Sequence, residues 1–253
     1  MNKWTKGILI AAGCLGAAGL ILTGAGLALG GFQVSAADVQ QENPQAYTET
    51  FSPEGIRSLE IEWVGGKVTV EPWDGEQIQI TESAAGGMDK RDRMDCRREG
   101  DSLEIRYVRS GIRFGTPFEG KQLEIRIPKA LAEALPELEI ENVSASVVLR
   151  DLNIRELDVN TVSGPLTAEN LRTGSLDFES VSGNLIAALP EAPREMDLET
   201  MSGDAELTLP KDASVRTEFE TVSGQLNSQL PTGTGSLIEM ESVSGDLTIL
   251  AAE

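Results

Sequence analysis

The chain has 253 residues, enough for one or two domains, and carries 41 acidic against 21 basic residues, a formal net charge of -20. A surface this acidic repels nucleic acid and anionic lipid, so we expect neither nucleic-acid binding nor peripheral membrane binding. The chain contains no histidine, which excludes Ser-His-Asp and Cys-His catalysis and removes the commonest metal ligand.

The first segment, residues 1–32, is predicted to anchor the chain in a membrane. No charged residue occurs from Gly7 to Phe32, a stretch longer than the roughly 20 residues that a spanning helix needs. Lys3 and Lys6 precede this stretch, and the next charged residue is Asp38. By the positive-inside rule, we expect a single-pass protein with a cytoplasmic amino terminus and an extracytoplasmic carboxy-terminal domain.

Two processing events are alternatives to an uncleaved anchor. Val34-Ser35-Ala36 resembles a small-residue signal peptidase site, but the apolar stretch exceeds the about 7 to 15 residues usual for a cleaved signal. Ala11-Ala-Gly-Cys14 faintly resembles a bacterial lipobox, but it lacks the large aliphatic residue three positions before the cysteine. We prefer the uncleaved anchor and leave cleavage open.

Residues 33–55 are polar, contain Pro44 and Pro53, and are predicted to form a linker. Residues 56–136 follow as an irregular N-terminal β region that caps the repeats behind it. Apolar and polar residues alternate there, which predicts strands at 59–63, 67–70, 77–80, 102–106 and 123–127. A stretch between Pro128 and Pro136 is predicted to form one or two helical turns.

Residues 137–253 contain five copies of one short repeat, each centred on Val-Ser-Gly or Met-Ser-Gly. The copies lie at 160–164, 179–183, 199–203, 220–224 and 241–245, and a degenerate sixth lies at 141–145. Their glycines are 19, 20, 21 and 21 residues apart, a near-constant spacing that is typical of a solenoid. Residues before and after each corner alternate between apolar and polar, which predicts short strands with one buried face.

The predicted fold is therefore all-β: a parallel β-solenoid with an irregular N-terminal β layer, preceded by one transmembrane helix. The general preference for right-handed crossovers between parallel strands predicts a right-handed solenoid. We expect the Ser-Gly pair to form a corner at which the backbone φ turns positive. Stacked copies would place the Ser or Thr two residues before each Ser-Gly in a column of hydrogen-bonded hydroxyls.

One column of acidic residues is the candidate ligand-binding feature. Four glutamates occupy the same place in successive copies, so stacking predicts a ridge of carboxylates formed by Glu179, Glu199, Glu220 and Glu241. Such a ridge could bind Ca²⁺ or a cationic polymer, although a solvated acidic surface is the simpler interpretation. The Gly-Gly-x-Gly-x-Asp repeat of calcium-binding β-rolls is absent.

No residue is assigned to catalysis, to a cofactor or to a metal. Cys14 lies within the predicted membrane segment and Cys96 in a polar stretch outside it, so a disulfide between them is not expected. Basic residues at 90–98, interleaved with aspartates, are predicted to form an exposed hairpin loop. Some parallel β-helices are polysaccharide lyases or hydrolases that work without histidine, so a β-helical carbohydrate-active enzyme is the alternative hypothesis.

The Val-Ser-Gly-x-Leu units, the segment Val64-Gly-Gly-Lys-Val-Thr-Val70 and the step Ile127-Pro-Lys129 together resemble the bacterial DUF4097 family. The resemblance covers the chain from about Ile56 to its end. It implies an amino-terminal membrane helix before a β-helical ectodomain. Members of the family are called adhesins on the basis of their fold, and the family supplies no catalytic motif to carry over.

The sequence thus predicts a membrane-anchored, extracytoplasmic, non-enzymatic module that acts as an adhesin-like or cell-envelope scaffold. Its expected partner is a cell-envelope protein or polysaccharide. Glu253 closely follows the last predicted strand, so we expect that strand to form an open edge, where copies associate end to end or another protein binds. The sequence does not identify the ligand or the oligomeric state.

Overall fold

A computed structural model describes residues 46–85, 87–108 and 120–252. The predicted membrane segment and most of the predicted linker lie outside the described residues. Within those ranges, no helix is both long and apolar enough to cross a bilayer. The described helices are α1 (Lys129–Ala132), as predicted between the two prolines, and a single 3-10 turn at Lys90–Asp92.

Nineteen strands make up the rest of the regular structure in the described ranges. In chain order they are β1 (Ala46–Phe51), β2 (Ser58–Trp63), β3 (Gly66–Trp73), β4 (Ile78–Ser83), β5 (Asp95–Glu99), β6 (Ser102–Arg106), β7 (Lys121–Pro128), β8 (Leu135–Asn142), β9 (Ser146–Arg150), β10 (Asn153–Thr161), β11 (Leu166–Glu169), β12 (Arg172–Ser180), β13 (Leu185–Ala188), β14 (Glu195–Thr200), β15 (Ala205–Leu209), β16 (Val215–Thr221), β17 (Leu226–Ser228), β18 (Ser236–Ser242) and β19 (Leu247–Ala251).

The strands form two sheets, and most neighbouring strands are parallel. The ten-stranded sheet has the order β1-β4-β7-β3-β9-β11-β13-β15-β19-β17, and the nine-stranded sheet has the order β16-β18-β14-β12-β10-β8-β2-β6-β5. We call a strand of the nine-stranded sheet, the connection after it and the next strand of the ten-stranded sheet a rung. The predicted all-β solenoid is confirmed, and its right-handedness stays a prediction.

Apolar and polar residues alternate along the strands, and the apolar side chains pack into a single core between the two sheets. In β12, Leu176 and Phe178 are buried, whereas Asp177 between them faces outward, and β10 and β14 repeat the pattern in register. Since parallel strands of equal register align equivalent side chains, most inward positions become columns of aliphatic residues, Met or Phe along the stack. A thin core of this kind needs few aromatic residues.

The last two rungs do not stack in sequence order. β18 pairs with β14 on one side and β16 on the other, and β19 likewise lies between β15 and β17. The expectation that the last strand of the chain forms the open edge is therefore wrong. Instead, the earlier rung β16–β17 ends both sheets, and we call this end of the stack the tail.

Polarity at the inward positions accounts for the exchange. Thr217 of the tail rung aligns with Ile238 of the inserted rung, and Ser228 aligns with Ile249. Ile238 and Ile249 are fully buried in the interior, whereas all three residues of β17 are exposed. Placing the more polar rung at the end therefore buries more apolar surface than stacking in sequence order would.

At the opposite end, which we call the head, the stack is closed by antiparallel strands. β1 pairs antiparallel with β4, β4 with β7, and β5 with β6. The strand β1 lies within the segment predicted as a linker, which corrects that prediction over residues 46–51. β2–β3 and β6–β7 also differ from expectation, because they join the parallel stack as rungs rather than forming a separate cap.

Candidate functional site

The outer face of the nine-stranded sheet carries the predicted glutamate ridge. Glu179 aligns with Glu199 on the neighbouring strand, and Glu199 aligns with Glu241. Glu220 follows Glu241 at the tail because the last two rungs are exchanged. The four predicted residues are thus brought together in one column, in an order that differs from the sequence.

A second acidic column, which was not predicted from the sequence, runs beside the first. Its members align strand by strand in the order Glu104, Glu60, Glu139, Asp158, Asp177, Asp197, Glu239 and Glu218. The first column also extends towards the head through Asn160, Glu141 and Glu62. The signal was present in the sequence, since these acids lie two residues before the ridge positions in each copy. We call the two columns together the acidic face.

Several carboxyl groups on the acidic face have raised pKa values, because they are partly desolvated and lie close to other carboxylates. Partial desolvation, followed by the charges of Asp158 and Asp197, raises the pKa of Asp177 to about 7. Desolvation is also the main cause that raises the pKa of Glu179 and Glu199 above the ordinary glutamate value. At neutral pH Asp177 is therefore partly protonated, whereas an isolated aspartate would be ionised.

Basic residues lie near the two ends of the acidic face. Arg106, the head-end member of the ridge column, contacts Glu62 at 3.2 Å and Glu104 at 3.0 Å. Arg216 contacts Glu218 at 3.4 Å on the tail strand. No group of three or more acidic or cysteine residues among residues 46–85, 87–108 and 120–252 is arranged to hold a metal ion. The face thus offers an extended array of acceptors rather than a point site for a cation.

A buried column of hydroxyls lies behind the corners, and this prediction is confirmed. Thr161, Thr200 and Thr221 each accept the N–H of the corner glycine three residues later, at 2.7 to 2.9 Å. Ser180 and Ser242 instead donate to the carbonyl oxygen of their own corner glycines at 2.9 Å. Hydroxyls of adjacent rungs also contact each other, Ser180 with Thr200 at 3.1 Å and Ser242 with Thr221 at 2.9 Å. The column satisfies backbone groups and is structural.

The corner glycines are needed for close approach and not for a positive φ, which corrects the expectation for the corner. None of the five has φ in the left-handed region. A Cβ added to Gly203 would lie 2.0 Å from the carbonyl oxygen of Gly183, and one added to Gly245 would lie 2.1 Å from that of Gly203. Glycine therefore sets the distance between rungs at the corner.

Besides the acidic face, a second group of charged residues lies at the head, around Lys121. Its Nζ donates to Glu82 Oε1 at 2.6 Å and to the backbone carbonyls of Asp92 and Val108. The same Nζ lies 4.4 Å from the ring centroid of Tyr107. Both Lys121 and Glu82 are buried, and this burial raises the pKa of Glu82 while Lys121 opposes the rise. Lys121 of β7 thereby contacts both β4 and the segment before β5 that contains Asp92, and the pair is a structural contact.

The predicted hairpin of basic residues lies at the head and is only partly a loop. Lys90–Asp92 form the 3-10 turn, and Cys96 and the two arginines after it belong to β5. Cys96 is a free thiol whose pKa is raised, mainly by burial. A thiol in this state is a poor nucleophile.

Comparison with known proteins agrees with the repeat geometry. The family model described as Toastrack DUF4097 matches residues 56–253, which includes every strand from β2 to β19. The chain belongs to the Toastrack DUF4097 family. This confirms the resemblance found from the Val-Ser-Gly units. No curated protein is detectably similar in sequence to this Toastrack chain.

Several solved structures are similar to this Toastrack chain at low sequence identity. A candidate cell adhesion protein from Clostridium sporogenes is 13% identical, with a TM-score of 0.50 over 83% of this chain and 100% of that protein. A candidate adhesin from Parabacteroides distasonis is 10% identical, with a TM-score of 0.46 over 83% of this chain and 98% of that one. A candidate lipid-binding protein from the same organism is 14% identical, with a TM-score of 0.43 over the same shares.

Proposed function

We propose that this protein is a non-enzymatic, adhesin-like binding module that contacts a cell-envelope partner through the acidic face. The observation that carries the proposal is the pair of aligned carboxylate columns on the outer face of the nine-stranded sheet. A long, regular array fits an extended partner better than a small substrate, because small-molecule sites are concave. The similar structure from Clostridium sporogenes, a candidate cell adhesion protein, is consistent with this role.

Short connections support a binding role over the alternative of a carbohydrate-active enzyme. Between β8 and β19 the longest connection, residues 229–235, has seven residues, and several corners have four. Enzymes on parallel β-helices need longer loops that build a cleft around the substrate. We find no such loop among residues 135–252.

Charge favours a basic protein surface as the partner over a polysaccharide. Carboxylates aligned at about 4.8 Å intervals attract lysine and arginine side chains, and this attraction steers association over long range. A neutral polysaccharide would gain no charge attraction from the same array, and an acidic one would be repelled. We therefore expect binding that weakens as the salt concentration rises.

The test compares two triple variants of equal charge change. One variant, Asp177→Asn/Glu179→Gln/Glu199→Gln, neutralises the centre of the acidic face. The control, Glu169→Gln/Glu191→Gln/Glu206→Gln, removes three exposed carboxylates that lie off this face. Both are incubated with separated protein and polysaccharide fractions of a bacterial envelope, and the retained protein is measured.

We expect the first variant to lose at least tenfold in retention by the protein fraction and the control to bind as the unaltered chain does. Equal retention of both variants would contradict a role for the acidic face. Preferential retention by the polysaccharide fraction, lost in the first variant, would assign the face to a polysaccharide instead.

We also propose that the chain is anchored in the cell membrane with the solenoid outside. The uncharged stretch 7–32, with Lys3 and Lys6 before it, supports this orientation. Protease added to intact cells that express the full chain should degrade the solenoid while leaving cytoplasmic proteins intact. Recovery of an intact solenoid from the soluble fraction of lysed cells, with no membrane-bound protein, would contradict the proposal.

A further inference from the structure

The tail exposes an inward side chain, Leu226, whose equivalents in the interior rungs are buried. Leu226 belongs to the same inward column as Leu185 and Leu247, which are fully buried, yet 44% of its surface is exposed. Val222 at the tail corner is also 44% exposed. Only one other large hydrophobic residue of the described ranges, Ile186, is exposed to this degree. The end of the core is therefore open at the tail.

The backbone at the tail is also arranged to accept another strand. In β16, Val215 donates its N–H to Pro231 O and accepts the N–H of Gly233 at 2.8 Å, so its backbone groups point away from β18. Alternate residues of a parallel strand bond to the same side, so Thr217, Phe219 and Thr221 point the same way. No residue within the described ranges pairs with the backbone of these three on that side, because β16 ends the sheet. They form a short open edge.

The tail corner restricts what can stack there. Each corner glycine carbonyl lies against the Cα of the corner glycine in the next rung towards the tail: Gly183 against Gly203, Gly203 against Gly245, and Gly245 against Gly224. A Cβ at any of these three contacts would lie 2.0 to 2.1 Å from the carbonyl oxygen. Gly224 repeats this geometry at the tail. A segment that continues the stack must therefore also present glycine at its corner.

Charge distinguishes a foreign partner from a second copy. On the outer face of the tail strand, Glu218 and Glu220 end the two acidic columns. The rungs of this chain carry acids at the same outward positions, such as Asp177 and Glu179, so a rung of a second copy would lengthen columns in which carboxylates are already crowded. An added rung with basic side chains there would instead pair opposite charges, which contributes favourably.

We propose that the tail is a docking site for one rung donated by a different protein. The donated rung is a strand, a Ser/Thr-x-Ser-Gly corner and a second strand, with apolar side chains inward and basic side chains opposite Glu218 and Glu220. Addition of a strand to an exposed sheet edge is a common mode of recognition, in which backbone bonds supply affinity and side chains supply specificity. Here the corner glycine and the two outward charges supply the specificity.

The test uses a fluorescently labelled peptide that has the sequence of residues 172–188 of this chain, except that its two outward acids are changed, Asp177→Lys and Glu179→Lys. By register these two positions fall opposite Glu218 and Glu220. Fluorescence anisotropy with the full chain should show saturable binding. The same peptide with Gly183→Val should bind at least tenfold more weakly, and so should the peptide with its natural acids.

Two variants of the chain and one control locate the binding. Leu226→Lys should reduce binding of the lysine-substituted peptide at least tenfold, whereas the matched control Ile186→Lys, an equally exposed position on the outer face of the ten-stranded sheet, should leave it unchanged. Thr217→Pro removes one outward N–H from the open edge, a position where proline is tolerated, and should also weaken binding. Circular dichroism melting verifies that all three altered chains are folded.

Absence of binding, or equal binding by the Gly183→Val peptide, would overturn the proposal. So would full binding by the Leu226→Lys chain. Sedimentation of the chain alone gives a third decisive outcome: dimers that Leu226→Lys dissociates would assign the tail to a second copy and overturn a foreign partner.

Discussion

The two ends of the stack differ in whether other strands cover the open edges of the sheets. At the head, antiparallel strands cover the first rungs, and the buried Lys121–Glu82 pair fastens a connection across them. At the tail, the sheets simply end in the most polar rung, with Leu226 and the backbone of β16 exposed. A parallel stack leaves an unsatisfied edge at each end, and the described residues cover the edge at the head but not the one at the tail.

Among variants that compare the head with the tail, we expect removal of the Lys121 charge to lower the free energy of unfolding most. Lys121→Met leaves the carboxylate of Glu82, which is fully buried, without its cation. Breaking a buried pair in this way costs about 3–5 kcal/mol, so the free energy of unfolding in urea should fall by that amount. The double variant Glu82→Leu/Lys121→Met should recover only part of the loss, because it removes the buried charge but leaves backbone groups of Asp92, Val108 and Met94 without these partners. A loss below about 1 kcal/mol for the single variant would show that the head does not depend on the pair.

Truncating one leucine in each of the last two rungs tests their order. Leu247→Ala removes a fully buried side chain and should cost about 2–5 kcal/mol. Leu226→Ala alters the equivalent position at the exposed tail and should cost less than about 1 kcal/mol. Urea unfolding of both variants decides the matter, and the reverse ranking would indicate stacking in sequence order.

A methyl group at a corner glycine should matter more inside the stack than at the tail. Gly203→Ala places a Cβ against Gly183 O between two fixed rungs, and such overpacking costs about 1–3 kcal/mol. Gly224→Ala makes the same contact with Gly245 O, but the tail rung can shift outward, so the cost should be smaller. Thermal melting compares them, with the exposed Ser202→Ala as a control expected within about 0.5 kcal/mol. Equal losses at both glycines would mean that the tail rung is held as rigidly as the interior.

The smallest effect concerns the acidic face between the ends, where Asp177 is flanked by Asp158 and Asp197. A pKa raised in the folded state means that Asp177 favours folding at pH below its ordinary value of 3.8, and this contribution is lost as pH rises through about 7. Asp177→Asn should therefore raise Tm by about 1–3 °C at pH 8 and leave it unchanged near pH 4. The exposed Asp212→Asn serves as the control, and an equal gain from it would contradict a specific effect of crowding.

The repeat and the fold class could be read from the sequence, because period and alternation are local properties of the chain. Val-Ser-Gly spacing near 20 residues predicted parallel rungs, and the aligned Ser and Thr predicted the hydroxyl column. The glutamate ridge was also predicted from one repeated residue type. Its companion column was missed, because that position alternates between aspartate, as in Asp177, and glutamate, as in Glu218 and Glu239.

Tertiary structure alone decided which rung neighbours which. The rungs β16–β17 and β18–β19 share the same corner and register, so the local sequence allows them to stack in either order. The difference lies in the apolar area that Ile238 and Ile249 bury compared with Thr217 and Ser228. The reason for the corner glycine could not be inferred from the sequence either. Gly203 is needed because its Cα lies close to the carbonyl oxygen of Gly183, which is 20 positions away in the chain. The sequence by itself therefore determined the rung, and contacts between distant rungs determined the order of the stack and the identity of its open end.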